Sequence, residues 1–480
     1  MKTVDATQAV ASMMVVTFDA EGLGDRSYLI SDGATGLVVD AQRDLSPYLA
    51  EADKLGITIA AVFETHIHND YVSGGLALAR ATGAAYVIPH DEPVSFADEV
   101  RTFGDGDSLR VGQLEVTAIS TTGHTDHHLA FLVKVADAGS YGDQVVCTGG
   151  SLLLNATGRT DLLGLDIAEE LARSQWRSVR RLLTTLAPET RVLPTHGFGS
   201  FCSATPTSGD TDSTPTIGQE LAKNPAALLE EDEFVAATLS SLPPIPAYYW
   251  YVAPLNRKGP LAPTFEPVAM LDRPGLEQIV QGPRRLVDLR PRRAFAIGHI
   301  RGSLNLELGA NLTTYLGWLV DFDSEIVLLA GNEAEIDKAR RLIVRIGRDE
   351  LFAGAVWSDS FPLAIAGRAE GTLASYPVAS FADLAVTWAK SSAGEPRVLD
   401  VRHRHEWTAG HIVGARHLPV QELAASKPDP ALEGEIWVHC AGGYRAAAAA
   451  SILSGWGARP VLVDDSWEQA LVCGLPIARE

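Results

Sequence analysis

The stretches LVDLRPRRAFAIGHIRGSLNL (residues 286–306) and VLDVRHRHEWTAGHIVGARHLPV (residues 398–420) carry one pattern twice: Asp-x-Arg, then an aromatic, then Gly-His-Ile. The spacing is conserved between the copies, Asp288 preceding Gly298 as Asp400 precedes Gly410. An internal repeat of this kind predicts two modules of the same supersecondary design, here α/β modules over residues 269–370 and 371–480.

The second copy continues into GEIWVHCAGGYRAAAAASILSGWG (residues 434–457). IWVHC reads as a buried strand and RAAAAASIL as a helix of strong formers. Between them lies Cys440-Ala441-Gly442-Gly443-Tyr444-Arg445, a cysteine at a strand end facing a helix N-terminus. The glycines let the backbone curl so that N–H groups point at the sulfur, and the helix dipole and Arg445 favour thiolate. The first copy reads EIVLLAGNEAEIDKARRLIVRIG (residues 325–347), which places Ala330 where the cysteine stands in its twin. No cysteine occurs between Cys202 and Cys440, so the first module is predicted to be a structural or docking unit.

Upstream, MMVVTF, SYLISD and GLVVDA read as consecutive strands. LSPYLAEADKLG reads as a helix with Ser46 as N-cap, Pro47 in the first turn and Gly56 as stop. IAAVFETH, AAYVIP and RVLPTH read as further strands, and GGLALARATG and IAEELARSQWRSVRRLLTTL as helices. Strands with intervening helices imply a layered α/β or α+β domain over residues 1–250. SLPPIPAYYWYVAPLNRKGPLAP (residues 241–263) is rich in Pro and aromatics and lacks periodicity, so residues 251–268 are predicted to be an ordered linker.

Histidines cluster at the ends of these strands: His66-x-His68-x-Asp70 with Tyr71 next, then Gly123-His124, then Thr195-His196. Histidines at i and i+2 just past a strand can aim at one ion, and two more at other strand ends complete a cluster, so metal binding is predicted. Of the other cysteines, Cys147 reads as a core residue, while Cys202 follows the presumed metal loop.

The 480 residues carry a formal charge of -21, which argues against general affinity for nucleic acid or anionic membranes. No run approaches the roughly 18 apolar residues of a membrane span, and the first residues make a poor signal peptide. Four widely spaced cysteines without CxxC fit a reducing, cytoplasmic setting better than a disulfide framework.

D-x-R…G-H-I…C-x-G-G-x-R resembles the rhodanese superfamily over both repeats. The resemblance implies that Cys440 accepts a sulfane sulfur from a thiosulfate-like or persulfide donor and passes it on, with Arg445 and the cradle Ala441, Gly442, Gly443 and Tyr444 around it. Related phosphatases have a loop one residue longer, so six residues favour sulfur over phosphate. Asp464-Asp465 stand where rhodaneses often have glycines.

The first 200 residues resemble the metallo-β-lactamase fold, an αββα sandwich. Within them, CTGGSLLLNATGRTDLLG (residues 147–164) is similar to the TGD…GRTD segment of persulfide dioxygenases, which oxidise a small-thiol persulfide to sulfite with one iron. The resemblance implies one metal ion, Fe(II) with zinc as the alternative, on His66, His68 and His124. Asp70 and His196 would supply outer hydrogen bonds or an alternative ligand. The chain departs from the family twice: Tyr71 replaces the last histidine of HxHxDH, and Gly150 replaces the ligand Asp of TGD. An aspartate restored at position 150 is expected to tighten iron binding. The expected partners are a small-molecule thiol persulfide and thiosulfate-like donors, without nucleic acid or membrane, and relatives commonly self-associate. Two other readings stay open: a zinc thioesterase of the glyoxalase II type, and a non-catalytic N-terminal binding domain serving the sulfurtransferase.

Overall fold

The computed structural model describes residues 13–136, 143–197, 200–204, 215–271, 275, 285–349, 353–356, 373–390 and 396–479. The first residues of the chain and the boundary expected at 370/371 lie outside the described residues. The chain divides into two compact units, 1–264 with 344–347, and 265–343 with 348–480.

The first unit is built on two sheets. One has six strands in sequential order, Met14–Ala20, Asp25–Ser31, Thr35–Val39, Thr58–Phe63, Ala85–Pro89 and Arg101–Phe103. The other has five, in the order Arg191–Pro194, Gln144–Gly149, Leu129–Val135, Leu114–Ser120 and Ser108–Val111. Period-2 alternation sends one set of side chains from each sheet inward, where Tyr28, Leu37 and Phe63 meet Val116, Phe131 and Val145 in a shared core. The opposite face of the first sheet buries Leu29, Val38 and Val62 against Tyr48 and Ala52 of helix Ser46–Leu55 and Leu78 of helix Gly75–Thr82. The opposite face of the second sheet buries Ala130 and Val146 against Ala172, Val179 and Leu182 of helix Ala168–Thr185. Layers in the order helix, sheet, sheet, helix result, the αββα sandwich of the metallo-β-lactamase fold.

Two local readings change. Helix Ser46–Leu55 has no side-chain cap from Ser46; the Asp44 carboxylate accepts from the Ser46 amide (3.1 Å) and hydroxyl (2.6 Å) instead. Within the expected linker, Tyr249–Lys258 is a helix of the first unit, with Tyr249, Val252, Ala253 and Asn256 buried at i, i+3, i+4 and i+7. Pro254 and the run of aromatics hid that period.

The second unit contains both repeat modules, and their parallel sheets share one strand order. Leu304–Asn305, Arg285–Asp288, Ile326–Ala330 and Ala353–Val356 in the first match Arg416–His417, Val398–Asp400, Glu435–His439 and Arg459–Val463 in the second. Val378–Ala379 adds an edge to the latter. Register places Leu329 opposite Asp288 and His439 opposite Asp400, so Ala330 and Cys440 occupy equivalent positions.

The shared motif is a buried brace. In the second module Arg402 Nε lies 3.0 Å from both oxygens of Asp400, Nη2 lies 2.6 Å from Oδ2, and the same Nη2 donates to the Gly410 carbonyl (2.7 Å). Arg290, Asp288 and Gly298 repeat this geometry in the first. The aromatic stacks on the histidine of Gly-His-Ile, Trp407 on His411 at 3.6 Å and Phe295 on His299 at 4.0 Å between ring centroids. Each histidine also donates its Nδ1–H to the aromatic residue's carbonyl. Among the described residues, no helix is long and apolar enough to cross a membrane.

Because Asp400 is fully buried, Arg402→Ala should destabilise the second unit by about 3–5 kcal/mol, seen as a lower urea midpoint for its transition. Asp400→Leu combined with Arg402→Met removes both charges and should cost clearly less; a double variant as unstable as Arg402→Ala would contradict the brace argument.

Candidate metal centre and sulfur site

Five loops at the strand ends of the first unit converge on one buried cluster. His66, His68 and Asp70 follow strand Thr58–Phe63, His124 follows Leu114–Ser120, and His196 follows Arg191–Pro194. Asp25 opens strand Asp25–Ser31, and Cys202 comes from the segment after His196. All seven side chains are buried.

The hydrogen bonds decide which ring nitrogens face inward. Thr65 Oγ1 gives its proton to Asp40 Oδ2 (2.8 Å), so it accepts from His66 Nδ1–H (2.9 Å) and leaves His66 Nε2 bare. His124 Nδ1–H donates to the Arg159 carbonyl (2.8 Å), and His124 Nε2 is buried without a partner. His196 Nδ1–H faces Asp25 Oδ1 (3.0 Å) and Asp70 Oδ2 (3.1 Å), while its Nε2 lies 3.4 Å from His66 Nε2. Tyr71 donates its hydroxyl to the Asp40 carbonyl (3.2 Å) and accepts from His68 Nε2–H (2.9 Å). His68 Nδ1 is then left buried and unpartnered, 3.9 Å from Asp70 Oδ1. Tyr71, standing where the family has a histidine, therefore orients His68.

The five metal residues expected from sequence are brought together, with a change of emphasis. Sets of three donors within 4.8 Å of one another are His66, His68 and His196; His124, His196 and Cys202; Asp25, Asp70 and His196; and Asp40, Glu64 and His68. His196 belongs to three of these sets, so it is central to the cluster, whereas His66, His68 and His124 do not form a set on their own. Cys202 adds a thiol beside His124 and His196.

The electrostatics of the metal-free chain fit a cation site. Burial pushes His66 well down and, with the charge on His196, His124 to about 3. Burial opposes protonation of His68 and His196 too, but Asp40 and Glu64 hold the first at about 10, and Asp70 and Asp25 the second at about 9. Burial would raise Asp70, yet His196 and His68 keep it below the usual carboxylate range. Protons thus neutralise buried carboxylates where a divalent ion would do the same work. Imidazoles fixed by outer hydrogen bonds, with the buried Asp70 carboxylate beside them, suit iron(II) or zinc.

Several residues that hold the cluster were not singled out from sequence. Asp40 accepts from the Thr65 amide (2.7 Å) and from the Thr195 hydroxyl, fixing the residue before each of two histidines. Asn256 donates to the carbonyls of His68 (2.8 Å) and Tyr71 (2.9 Å). Arg159 of the GRTD segment pairs with Asp161 (2.7 and 2.8 Å) and donates to the Phe201 carbonyl (2.9 Å) beside Cys202. His128 stacks on His66 and accepts the Gly150 amide (3.0 Å), which takes its Nε2 out of the ligand set. In Gly123-His124-Thr125-Asp126-His127-His128 nothing in the spacing separates His128 from its half-buried neighbour His127.

Position 150 argues against the expectation that an aspartate there tightens iron binding. A Cβ built on Gly150 would lie 2.1 Å from His124 Cδ2 and 2.5 Å from Nε2. An aspartate there displaces the imidazole before it can offer a carboxylate.

In the second unit, Cys440 is buried at the end of its strand, and the Gly443 amide donates to its Sγ (3.1 Å). Gly443 has φ +88 and opens the helix Tyr444–Gly455. Ala441 and Gly442 form the outer rim, with open space where a Gly442 side chain would be. Tyr444 donates its hydroxyl to the Glu307 carbonyl (3.4 Å). Arg445 is held in two bonds to Glu406 (2.5 and 2.8 Å), so its charge is shared with a carboxylate rather than aimed alone at the sulfur.

Comparison with known proteins agrees with this division. The metallo-beta-lactamase superfamily profile matches residues 23–196, and the rhodanese-like domain profile matches residues 385–471. The hydroxyacylglutathione hydrolase of Hyphomonas neptunium is 32% identical over 132 residues, covering 27% of this chain and 51% of that protein. That of Bradyrhizobium sp. is 30% identical over 149 residues, covering 31% and 57%. The chain thus spans about half the length of these curated relatives. The crystal structure of a metallo-beta-lactamase from Staphylococcus aureus subsp. aureus COL aligns with a TM-score of 0.64 at 25% identity, covering 72% of this chain and 99% of that one. The chain carries a metallo-β-lactamase fold in its N-terminal part and a rhodanese-like domain near its C-terminus.

Gly150→Asp should lower bound metal per chain by elemental analysis of purified protein. Asp40→Asn, which loosens both Thr-His pairs, should weaken metal affinity by about 10–100-fold. A rise in metal content with Gly150→Asp would show that His124 yields easily.

Proposed function

We propose that the chain joins a mononuclear-iron persulfide oxygenase to a sulfurtransferase that works through Cys440. The observation that carries the first half is the convergence of the Nε2 atoms of His66 and His196, 3.4 Å apart, beside a buried and unpartnered His124 Nε2. Donors converging this closely suit one ion. Two hydrolytic metals want a bridging carboxylate, which Gly150 does not provide, and Tyr71 removes a further histidine. Iron(II) would supply the one-electron chemistry that dioxygen needs.

The chain's own residues supply orientation. Asp40 and Thr65 fix the His66 imidazole, Asp25 and Asp70 that of His196, and the Arg159 carbonyl that of His124, and the buried setting excludes bulk water. The balanced reaction takes one persulfide R–S–SH, one O2 and one water to R–SH, sulfite and two protons. The outer sulfur is oxidised and dioxygen reduced. In the other half, the Cys440 thiolate attacks the sulfane sulfur of thiosulfate, expelling sulfite and forming the Cys440 persulfide. A small thiol then takes that sulfur as R–S–SH.

A second reading is favoured by one finding, the likeness to hydroxyacylglutathione hydrolases. One set of measurements separates the two. The oxygenase reading expects about one iron per chain, oxygen uptake and sulfite with glutathione persulfide, and loss of both iron and uptake in His196→Ala. Cys440→Ser should keep oxygen uptake from supplied persulfide but abolish transfer from thiosulfate. Two zincs with hydrolysis of a hydroxyacylglutathione thioester and no oxygen uptake would replace the oxygenase reading with the hydrolase one.

A further inference from the structure

We infer that Arg292, on the module without a cysteine, is a positioning residue for the Cys440 loop that lets the site admit an anionic sulfane-sulfur donor of the thiosulfate class. The inference builds on the transferase reading and names what the first module contributes to it.

The second module carries an acid where a sulfur site would least want one. Asp464, at the end of strand Arg459–Val463, is packed on the loop so closely that a Cβ at Gly443 would lie 2.4 Å from its Oδ1. A carboxylate there opposes both a cysteine anion and an incoming sulfonate. The first module answers it. Arg292 Nε donates to Asp464 Oδ1 (2.6 Å), and Arg293 Nε to Oδ2 (2.6 Å). Arg292 Nη1 meets Glu307 (2.9 Å), and its Nη2 reaches the Gly442 carbonyl (3.3 Å). One guanidinium therefore neutralises an acid on each module and also holds a loop carbonyl. With Gly442 turned toward Arg292, the next amide, that of Gly443, is free to face the sulfur, as its 3.1 Å bond to Sγ requires.

The sequence departures match one another. Arg292-Arg293 stand where the second module has Arg404-His405, so the arginine pair that meets Asp464 is the first module's own. The other charged or titratable groups around the loop are Arg445 and Glu406, already paired together, with His403, His439, Tyr315 and Tyr444. Removing Arg292 leaves Asp464 and Glu307 with Arg293 alone, a net change of one negative charge at the loop.

The test uses the full chain and alkylation of Cys440, followed by mass spectrometry of its peptide, with iodoacetate as the anionic probe and iodoacetamide as the neutral one. Arg292→Ala should slow iodoacetate roughly tenfold more than iodoacetamide and raise KM for thiosulfate more than it lowers kcat. Arg292→Lys should keep most of the preference, and adding Asp464→Asn to Arg292→Ala should restore it. Asp464→Asn alone, which is expected to fold whether or not Arg292→Ala does, should speed iodoacetate selectively. Equal slowing of both reagents, or no rescue by Asp464→Asn, overturns the assignment. A wild-type chain with the expected reagent preference and no transfer from thiosulfate would sink the transferase reading while leaving Arg292 in place.

Discussion

The candidate metal centre depends on one buried carboxylate, whose hydrogen bonds organise the loops around it. Asp40 stands at the end of strand Thr35–Val39 with φ +55, a left-handed conformation that aspartate tolerates better than most residues yet still at a cost. Its oxygens accept from the Thr65 amide and hydroxyl and from the Thr195 hydroxyl, and His68 Nε2 lies 3.3 Å away. Thr65 follows a strand of the six-stranded sheet and Thr195 a strand of the five-stranded one. One side chain thus ties the ends of both sheets together at the point where His66 and His196 must meet. The His66 ring takes its aim from Thr65 and so from Asp40, while Asp40 also holds Thr195, beside which Asp25 and Asp70 aim the His196 ring.

This explains what could and could not be read along the chain. The ligand-type residues announced themselves through local spacing, His66-x-His68-x-Asp70 above all, and through their places just past strands. Their partners did not. Thr195 lies 155 residues from Asp40 and Asn256 lies 188 from His68, and nothing in single-chain periodicity links them. The central place of His196 is of the same kind, because only packing of the two sheets brings its Nε2 to His66. Helix Tyr249–Lys258 is a different case. Its buried positions do have helical spacing, but Pro254 and adjacent aromatics obscured the signal.

In the repeats, the legible part was the brace, and the illegible part was what surrounds the loop. Asp-x-Arg, the aromatic and Gly-His-Ile form a self-contained unit whose partners lie within about a dozen residues, so pattern alone sufficed. The loops then diverge by charge. In the first module the Gly331 amide donates to Glu335 (2.9 Å), whose other oxygen takes the Asn332 amide (3.0 Å). That loop carries its own anion. In its twin Arg445 stands where Glu335 does, and the Gly443 amide donates to Cys440 Sγ.

The surroundings of Cys440 also bear on how a donor could be selected by a chain of formal charge -21. Arg292, Arg293 and Arg445 are matched by Asp464, Glu307 and Glu406, so these six groups sum to zero. Beyond roughly 8 Å, salt screens most of what remains. Long-range steering of a dianion is therefore weak, and selection falls to short contacts: the Gly443 amide at the sulfur and carboxylates kept neutral by arginine. Such a site would discriminate by short-range hydrogen bonds and charge pairing, which suits the proposed transfer, in which one loop holds a sulfur first as a leaving anion's partner and then as a persulfide.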